Sequence, residues 1–398
     1  MIIGIDACSL AGGGRAHLMG VLECARPEVF GISRIRVWAP RDLLDQLPER
    51  AWLEAISLPQ LEGPRWRRLL WQRFGLKRAL AGCDLFWSPG AFLPFRFDPC
   101  VVMTQNSLLF DLAEQRRYGF SPTRLRLIAL RRSQIRSLRR AAGVIFLTDW
   151  GERLVRNSVP VPGRTAVVPH GIGERFLADP RPQEPLDAYS EQRPLRLVYV
   201  SIIDAYKHQW HVARAVAKLR RKGLPLEIRF AGPAYPPALR RFIRTLDELD
   251  PGRRFLHYDG PIPHEALPGL YAGSDLCVFA STCENLPNVL LEAMAAAMPI
   301  ACSNRSPMRE VIGDGGVLFD AESPSSIAMA VETLARDPEH RARCAARARE
   351  RAALYTWQRC ADDSLSFLAQ VAMGYSGSDV HQSRSDSYPR FTSMSPKC

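Results

Sequence analysis

The chain has 398 residues, too many for one ordinary hydrophobic core, so two domains are expected. Its 46% apolar and 24% charged residues are those of a globular protein, and no apolar run approaches the ~18 residues of a membrane-spanning helix. A net charge of +12, carried mostly by arginine, points to an anionic partner: nucleotide phosphates, a membrane surface or nucleic acid. The opening segment MIIGIDACSL has no basic leader and reads as a first strand, which fits a cytoplasmic protein. The ten cysteines are scattered without a C-x-x-C pair. They read as reduced, buried thiols and offer no zinc cluster, so no metal site is expected.

In chain order, MIIGIDA leads into the glycine run AGGGR and an apolar helix. IRVWAP, CDLFWSP, CVVMTQN and GVIFLT follow, each short, apolar and trailed by a helical stretch. A second block repeats the pattern with LRLVYVS, LEIRFAG, DLCVFAS, MPIACS and GVLFD. Strands alternating with helices predict parallel sheets covered on both faces. The expected fold is α/β, with two doubly wound Rossmann-like domains facing across a cleft. Residues 1–180 form the first domain and 195–355 the second. A linker rich in proline and charge spans 181–194. A helix over 356–374 packs back toward the first domain, and the serine-rich tail 375–398 is expected to be disordered.

The stretch FASTCENLPNVLLEAM places Glu284 and Glu292 eight positions apart around Pro287. Pro287 suits a helix start, because its missing N–H would have no partner there. The free amides near Asn288 and Val289 then form an anion site at the carboxyl edge of the sheet. A diphosphate on those amides would leave a carboxylate on each side, Glu284 for the sugar and Glu292 for a ribose. On spacing alone, Glu284 is equally a helix-start charge and Glu292 a solvated residue.

This stretch resembles the E-x7-E signature of the family 4 (group 1) retaining glycosyltransferases, which have the two-Rossmann GT-B architecture. VVPHGIGERF, YVSIIDAYKHQ, GPIPHEALPGLYAGSDLCVFAS, MREVIGDGGVLFD and TWQRCADDSL are similar to further segments of that family. The resemblance implies catalytic roles for Glu284 and Lys207. It implies substrate contacts from Glu292, Asn285, Pro287, Asn288, Val289, Ser201 and Ile262 in the second domain, and from Gly13, Gly14, Gln105 and Asn106 in the first. The donor would be a nucleoside-diphosphate sugar, with no cofactor and no metal.

The sequence departs from the family at two places. The arginine expected five or six positions before Lys207 is replaced by Ser201 and Ile202, with Arg305 and Arg309 as possible substitutes. Where relatives carry a histidine near the transferred sugar, this chain has Gln105 and Asn106, which can hydrogen-bond a hydroxyl but cannot act as a base. That fits a leaving phosphate which helps activate the acceptor. Arg15 adds charge beside the glycine run. His170 reads as a structural or cleft-lining residue, and Glu310 as a helix cap.

Between Arg116 and Arg140 there are nine arginines and no acid. Arg132, Arg136 and Arg140 share one helical face, opposite Leu127, Leu130 and Leu138. The segment is either a solvated helix or a dock for anionic lipid, and RWRRLLWQRFGLKR adds tryptophans to similar charge. No nucleic-acid-binding module is evident. The expected function is retaining transfer of a hexose to a glycan or lipid-linked acceptor in surface polysaccharide assembly, in the cytoplasm with peripheral attachment to the inner membrane face. The rivals are an epimerase or phosphorylase on the same fold and a non-catalytic nucleotide-sugar-binding protein.

Overall fold

A computed structural model describes residues 1–375; the expected disordered tail lies outside them, apart from Tyr375. The chain divides into two compact units, and each carries one parallel sheet.

Among the described residues, the first unit comprises Met1–Gln105, Arg131–Pro169 and 358–375. Its strands are β1 (Ile2–Asp6), β2 (Arg34–Trp38), β3 (Leu53–Ile56), β4 (Leu85–Ser88), β5 (Cys100–Met103), β6 (Gly143–Phe146) and β7 (Arg164–Val167). They lie in the order β3-β2-β1-β4-β5-β6-β7, all parallel. The central strands are unbroken apolar runs because helices cover both faces, so Ile3, Phe86, Val101 and Ile145 are wholly buried. The helix Trp357–Gly374 closes this unit. Its Val371 and Phe367 press so close to Gly143 that a β-carbon there would lie 2.8 and 3.0 Å from them, and Asp362 pairs with Arg26 at 2.6 Å.

The second unit comprises Asn106–Leu130 and His170–Trp357. Its strands are β8 (Leu195–Val200), β9 (Leu226–Ala231), β10 (Leu256–Gly260), β11 (Leu276–Phe279), β12 (Ile300–Ser303) and β13 (Val317–Phe319). Their order is β10-β9-β8-β11-β12-β13, again all parallel. The order reverses between β8 and β11, whose register pairs Leu276 with Leu197 and Cys277 with Val198. The loops leaving the carboxyl ends of those two strands therefore emerge side by side, and that is where open α/β sheets bind ligands.

Three stretches differ from the expected domain limits, and one of them, residues 170–180, falls in the second unit instead of the first. Residues Asn106–Leu130 belong to the second unit: the Tyr118 hydroxyl donates to Asp204 at 2.9 Å, and Arg117 pairs with Glu322 at 2.6 Å. Residues 181–194, expected as a linker, are packed onto the second unit rather than free. The buried guanidinium of Arg341 explains this. It donates to the carbonyls of Leu334 and Ala335, each at 2.7 Å, and also to the Gln183 side chain and the Glu184 carbonyl. A buried charge must be fully hydrogen-bonded, so it fixes the strap that supplies its acceptors.

Candidate functional site

Lys207 follows β8 and Glu284 follows β11, so the reversal in strand order brings them together although they are far apart in sequence. Lys207 Nζ pairs with Glu284 Oε1, and the two side chains are only 8% and 15% exposed. The ammonium lies 5.1 Å from the ring centre of Tyr206 and 5.4 Å from that of Phe279, where ring faces favour a cation. The backbone around it is tied down. The Tyr199 hydroxyl donates to the Lys207 carbonyl at 2.6 Å, and the Thr282 N–H donates to the Tyr206 carbonyl at 2.9 Å. His208 takes a left-handed φ of 52° and its Nε2 meets Thr282 Oγ1 at 3.2 Å. The two loops thus form one braced platform.

The helix Asn288–Ala295 begins just beyond, with Pro287 as its N-cap and no side chain capping it. The sequence placed the free amides at Asn288 and Val289. The structure moves them by one residue, because the Asn288 N–H turns back to the Leu286 carbonyl at 3.0 Å. The N–H groups of Val289 and Leu290 have no protein acceptor among the described residues. Two free donors, a helix dipole and the Lys207 ammonium make this corner of the unit receptive to an anion.

Glu292 is buried rather than solvated. Its Oε1 meets His264 Nε2 at 2.8 Å and its Oε2 meets the Tyr271 hydroxyl at 3.4 Å. Neither acid is therefore a mere surface or helix-start charge. Asn285 is buried in the loop beside Glu284, and Ser201 is buried at the end of β8. Gly232, at φ +142°, is packed against the Ser201 carbonyl with no room for a β-carbon, which holds the β8 exit in place. Ile262 is half-buried in the loop after β10, two residues before His264.

In the first unit, Gly13 and Gly14 open the helix Gly13–Cys24. Gly14 lies against Gln105, whose Oε1 would be 3.3 Å from an added β-carbon, and Gln105 Nε2 donates to the Pro89 carbonyl at 3.3 Å. Gly14 and Gln105 are thus neighbours. Asn106 instead caps its own turn, accepting from the Leu108 N–H at 3.1 Å. Arg15 pairs with Asp42 at 2.7 Å. Of the candidate substitutes for the absent arginine, Arg305 lies 4.0 Å from Glu322 and Arg309 is exposed. Glu310 stands in the first turn of the helix Met308–Ile312.

His170 is buried, stacked on Trp357 at 6.0 Å, with its imidazole against the Asn288 side chain. Burial pushes its pKa down to about 4, and the contact with Asn288 opposes that only in part. His208 is pushed down to about 3, by burial first and then by Arg117. Both are neutral in the native state at pH values where the unfolded chain already takes up protons. Their stabilising effect is complete above pH ~6.5 and is lost as pH falls toward 4 and then 3. For His170 the whole swing is about 3 kcal/mol. Urea unfolding at pH 7 and pH 4.5 should show a wild-type loss of that order, and a smaller loss in His170→Asn.

Residues 187–351 match the family model described as glycosyl transferases group 1. That match lies within the second unit and covers less than half of the chain. The O-antigen chain mannosyltransferase B of Escherichia coli is 29% identical over 147 residues, 36% of this chain and 39% of that one. A GDP-mannose-dependent alpha-(1-6)-phosphatidylinositol dimannoside mannosyltransferase of Mycobacterium tuberculosis is 32% identical over 180 residues, 44% of each chain. These matches span less than half of those two relatives. The solved sucrose-phosphate synthase of Thermosynechococcus elongatus superposes with a TM-score of 0.71 at 20% identity, covering 94% of this chain and 100% of that one. That likeness is one of fold, the two-Rossmann GT-B architecture. Within the second unit, sequence reasoning had missed His264, Tyr271 and Tyr206. His264 was within reach, two positions after Ile262, but its partner Glu292 lies on another element.

Proposed function

We propose that the chain is a retaining glycosyltransferase that moves a hexose from a nucleoside-diphosphate sugar to a glycan or lipid-linked acceptor in surface polysaccharide assembly. The observation that carries this reading is the Lys207–Glu284 pair beside the free amides of Val289 and Leu290, inside the segment that matches the group 1 family model. A glycosyl diphosphate puts its sugar carbon one oxygen away from its phosphate, so an adjacent carboxylate and ammonium can address both halves of one donor. As the anomeric bond breaks, negative charge grows on the diphosphate and positive charge on the sugar ring. Lys207 and the two amides stabilise the first, and Glu284 positions the sugar and stabilises the second. Glu292 takes the ribose hydroxyls. These fixed donors supply the charge that a metal would otherwise bring, so activity is expected to survive chelation by EDTA.

Both relatives are named mannosyltransferases and one is named GDP-mannose-dependent, which makes GDP-mannose the first donor to try. Thermal-shift measurements with GDP-, UDP-, dTDP- and ADP-sugars should raise the melting temperature with one nucleotide above the rest. Transfer from that donor should keep the anomeric configuration in the product by NMR. An inverted product, or epimerisation without acceptor, would defeat the reading.

The reading includes an anionic membrane as partner, with the chain cytoplasmic and peripheral. The charged helix Arg65–Phe74 is held by buried Gln72, which donates to Asp6 at 2.6 Å. It leaves Trp66, Leu70 and Phe74 in one exposed stripe at helical spacing, with Leu69 alongside. Arg67 lies over the Trp66 ring and Arg73 over the Phe74 ring, and no acid occurs between Glu62 and Asp84. Apolar rings rimmed by cations fit the boundary between anionic headgroups and acyl chains. Among the described residues no helix is long and apolar enough to cross a membrane. The chain should sediment with phosphatidylglycerol vesicles and much less with phosphatidylcholine. The double change Trp66→Ser and Phe74→Ser should weaken that binding by about tenfold or more; undiminished binding would remove this helix from the account.

A further inference from the structure

Glu292 does not stand alone. His264 Nε2 faces its Oε1 at 2.8 Å, and His264 Nδ1 faces the guanidinium Nη2 of Arg175. A guanidinium can only donate, so Nδ1 must be the accepting nitrogen. The imidazole proton therefore sits on Nε2 and is donated to Glu292. Phe176 bounds the same imidazole, its ring centre 5.2 Å away, and Arg175 also lies over the Phe176 ring at 5.3 Å. On the other side of the carboxylate the Tyr271 hydroxyl reaches Oε2 and the Val289 carbonyl, each at 3.4 Å. Oε1 thus has the imidazole N–H as its donor, while the single Tyr271 hydroxyl hydrogen is shared between Oε2 and the Val289 carbonyl, so the carboxylate is held from both sides and both oxygens keep acceptor capacity to spare.

We propose that Arg175 and His264 form a positioning relay that locks Glu292 to accept two neighbouring hydroxyls, so that this domain selects a ribonucleoside diphosphate over its 2′-deoxy counterpart. The inference rests on the reading of Glu292 as the ribose ligand. A carboxylate so held, with a free lone-pair direction on each oxygen, matches a vicinal diol in a bidentate way. A nucleotide without the 2′-hydroxyl leaves one of those buried directions empty, and a site built to bond a hydroxyl rejects the analogue that lacks it. Without His264 the carboxylate can turn, and the match is lost for the diol while the deoxy sugar has little to lose.

Calorimetric titration of UDP, GDP, 2′-deoxy-UDP and 2′-deoxy-GDP tests this. The wild type should bind the ribo form of its preferred base at least about tenfold more tightly than the deoxy form. His264→Ala should weaken the ribo form by about tenfold and the deoxy form by less than about twofold, so that the preference collapses. His264→Gln should restore most of it, because its carboxamide N–H donates from near the position of Nε2; a merely structural loss would not be rescued this way. His264 is half exposed, so an unchanged melting temperature is expected in both variants. If His264→Ala keeps the full preference, the relay is wrong while Glu292 stands as ribose ligand. If the wild type shows no preference, or Glu292→Ala leaves both affinities unchanged, the ribose reading fails and the relay fails with it.

Discussion

Glu284→Gln lowers turnover by roughly 10²–10³-fold while leaving nucleotide affinity within about threefold and the second unit folded. The change keeps the shape of the side chain and an oxygen that can still accept from Lys207. It removes the negative charge that the account sets against the developing positive charge of the sugar ring. An interaction made mainly in the transition state appears in kcat, whereas one made equally in the ground state appears in binding. A variant with wild-type turnover would refute the assignment. A variant that loses nucleotide binding would move Glu284 to the diphosphate end of the donor.

Lys207→Met affects both stability and activity. The methionine can fill much of the space between Tyr206 and Phe279 but leaves the Glu284 carboxylate without its cation in a largely buried place. Removing one partner of a buried ion pair costs about 3 kcal/mol, because the other charge stays behind. Stability should recover in Lys207→Met combined with Glu284→Gln, since the stranded charge is then gone. Activity should not recover, because the double variant lacks both the ammonium proposed for the diphosphate and the Glu284 charge proposed for the sugar: turnover should fall by about 10²-fold or more in both variants. Unfolding curves and initial rates on the two proteins separate these effects. Recovery of activity in the double variant would contradict the roles proposed for both Lys207 and Glu284.

The α/β fold was legible because parallel strands buried on both faces read as continuous apolar runs, as VVM in β5 and VYV in β8 do. The sequence reading missed β3, β7 and β10, all of which are sheet edges. Their residues are mostly half exposed and mix charge with apolar groups, as in LEAI and LHYDG, so no run announces them. The strap over 181–194 was equally hidden. Its proline and charge read as a linker, and the buried Arg341 that pins it lies more than 150 positions away. At the candidate site, what depends on neighbours in sequence could be read directly: a helix starting at Pro287 with free amides behind it. The shift of those amides to Val289 and Leu290 depends on one local turn, which no residue type dictated. The meeting of Lys207 with Glu284 depends on which strands are adjacent, and only the family resemblance supplied that. The Arg175–His264–Glu292 chain joins three separate segments and had no sequence signal.

The most direct test is a crystal structure of the chain with a bound nucleoside-diphosphate sugar, beginning with GDP-mannose. The diphosphate should rest on the N–H groups of Val289 and Leu290 within hydrogen-bond distance of Lys207 Nζ, with Glu284 toward the hexose and Glu292 on the ribose. A donor whose phosphates lie away from that helix end, with Lys207 still closed on Glu284, would contradict the account.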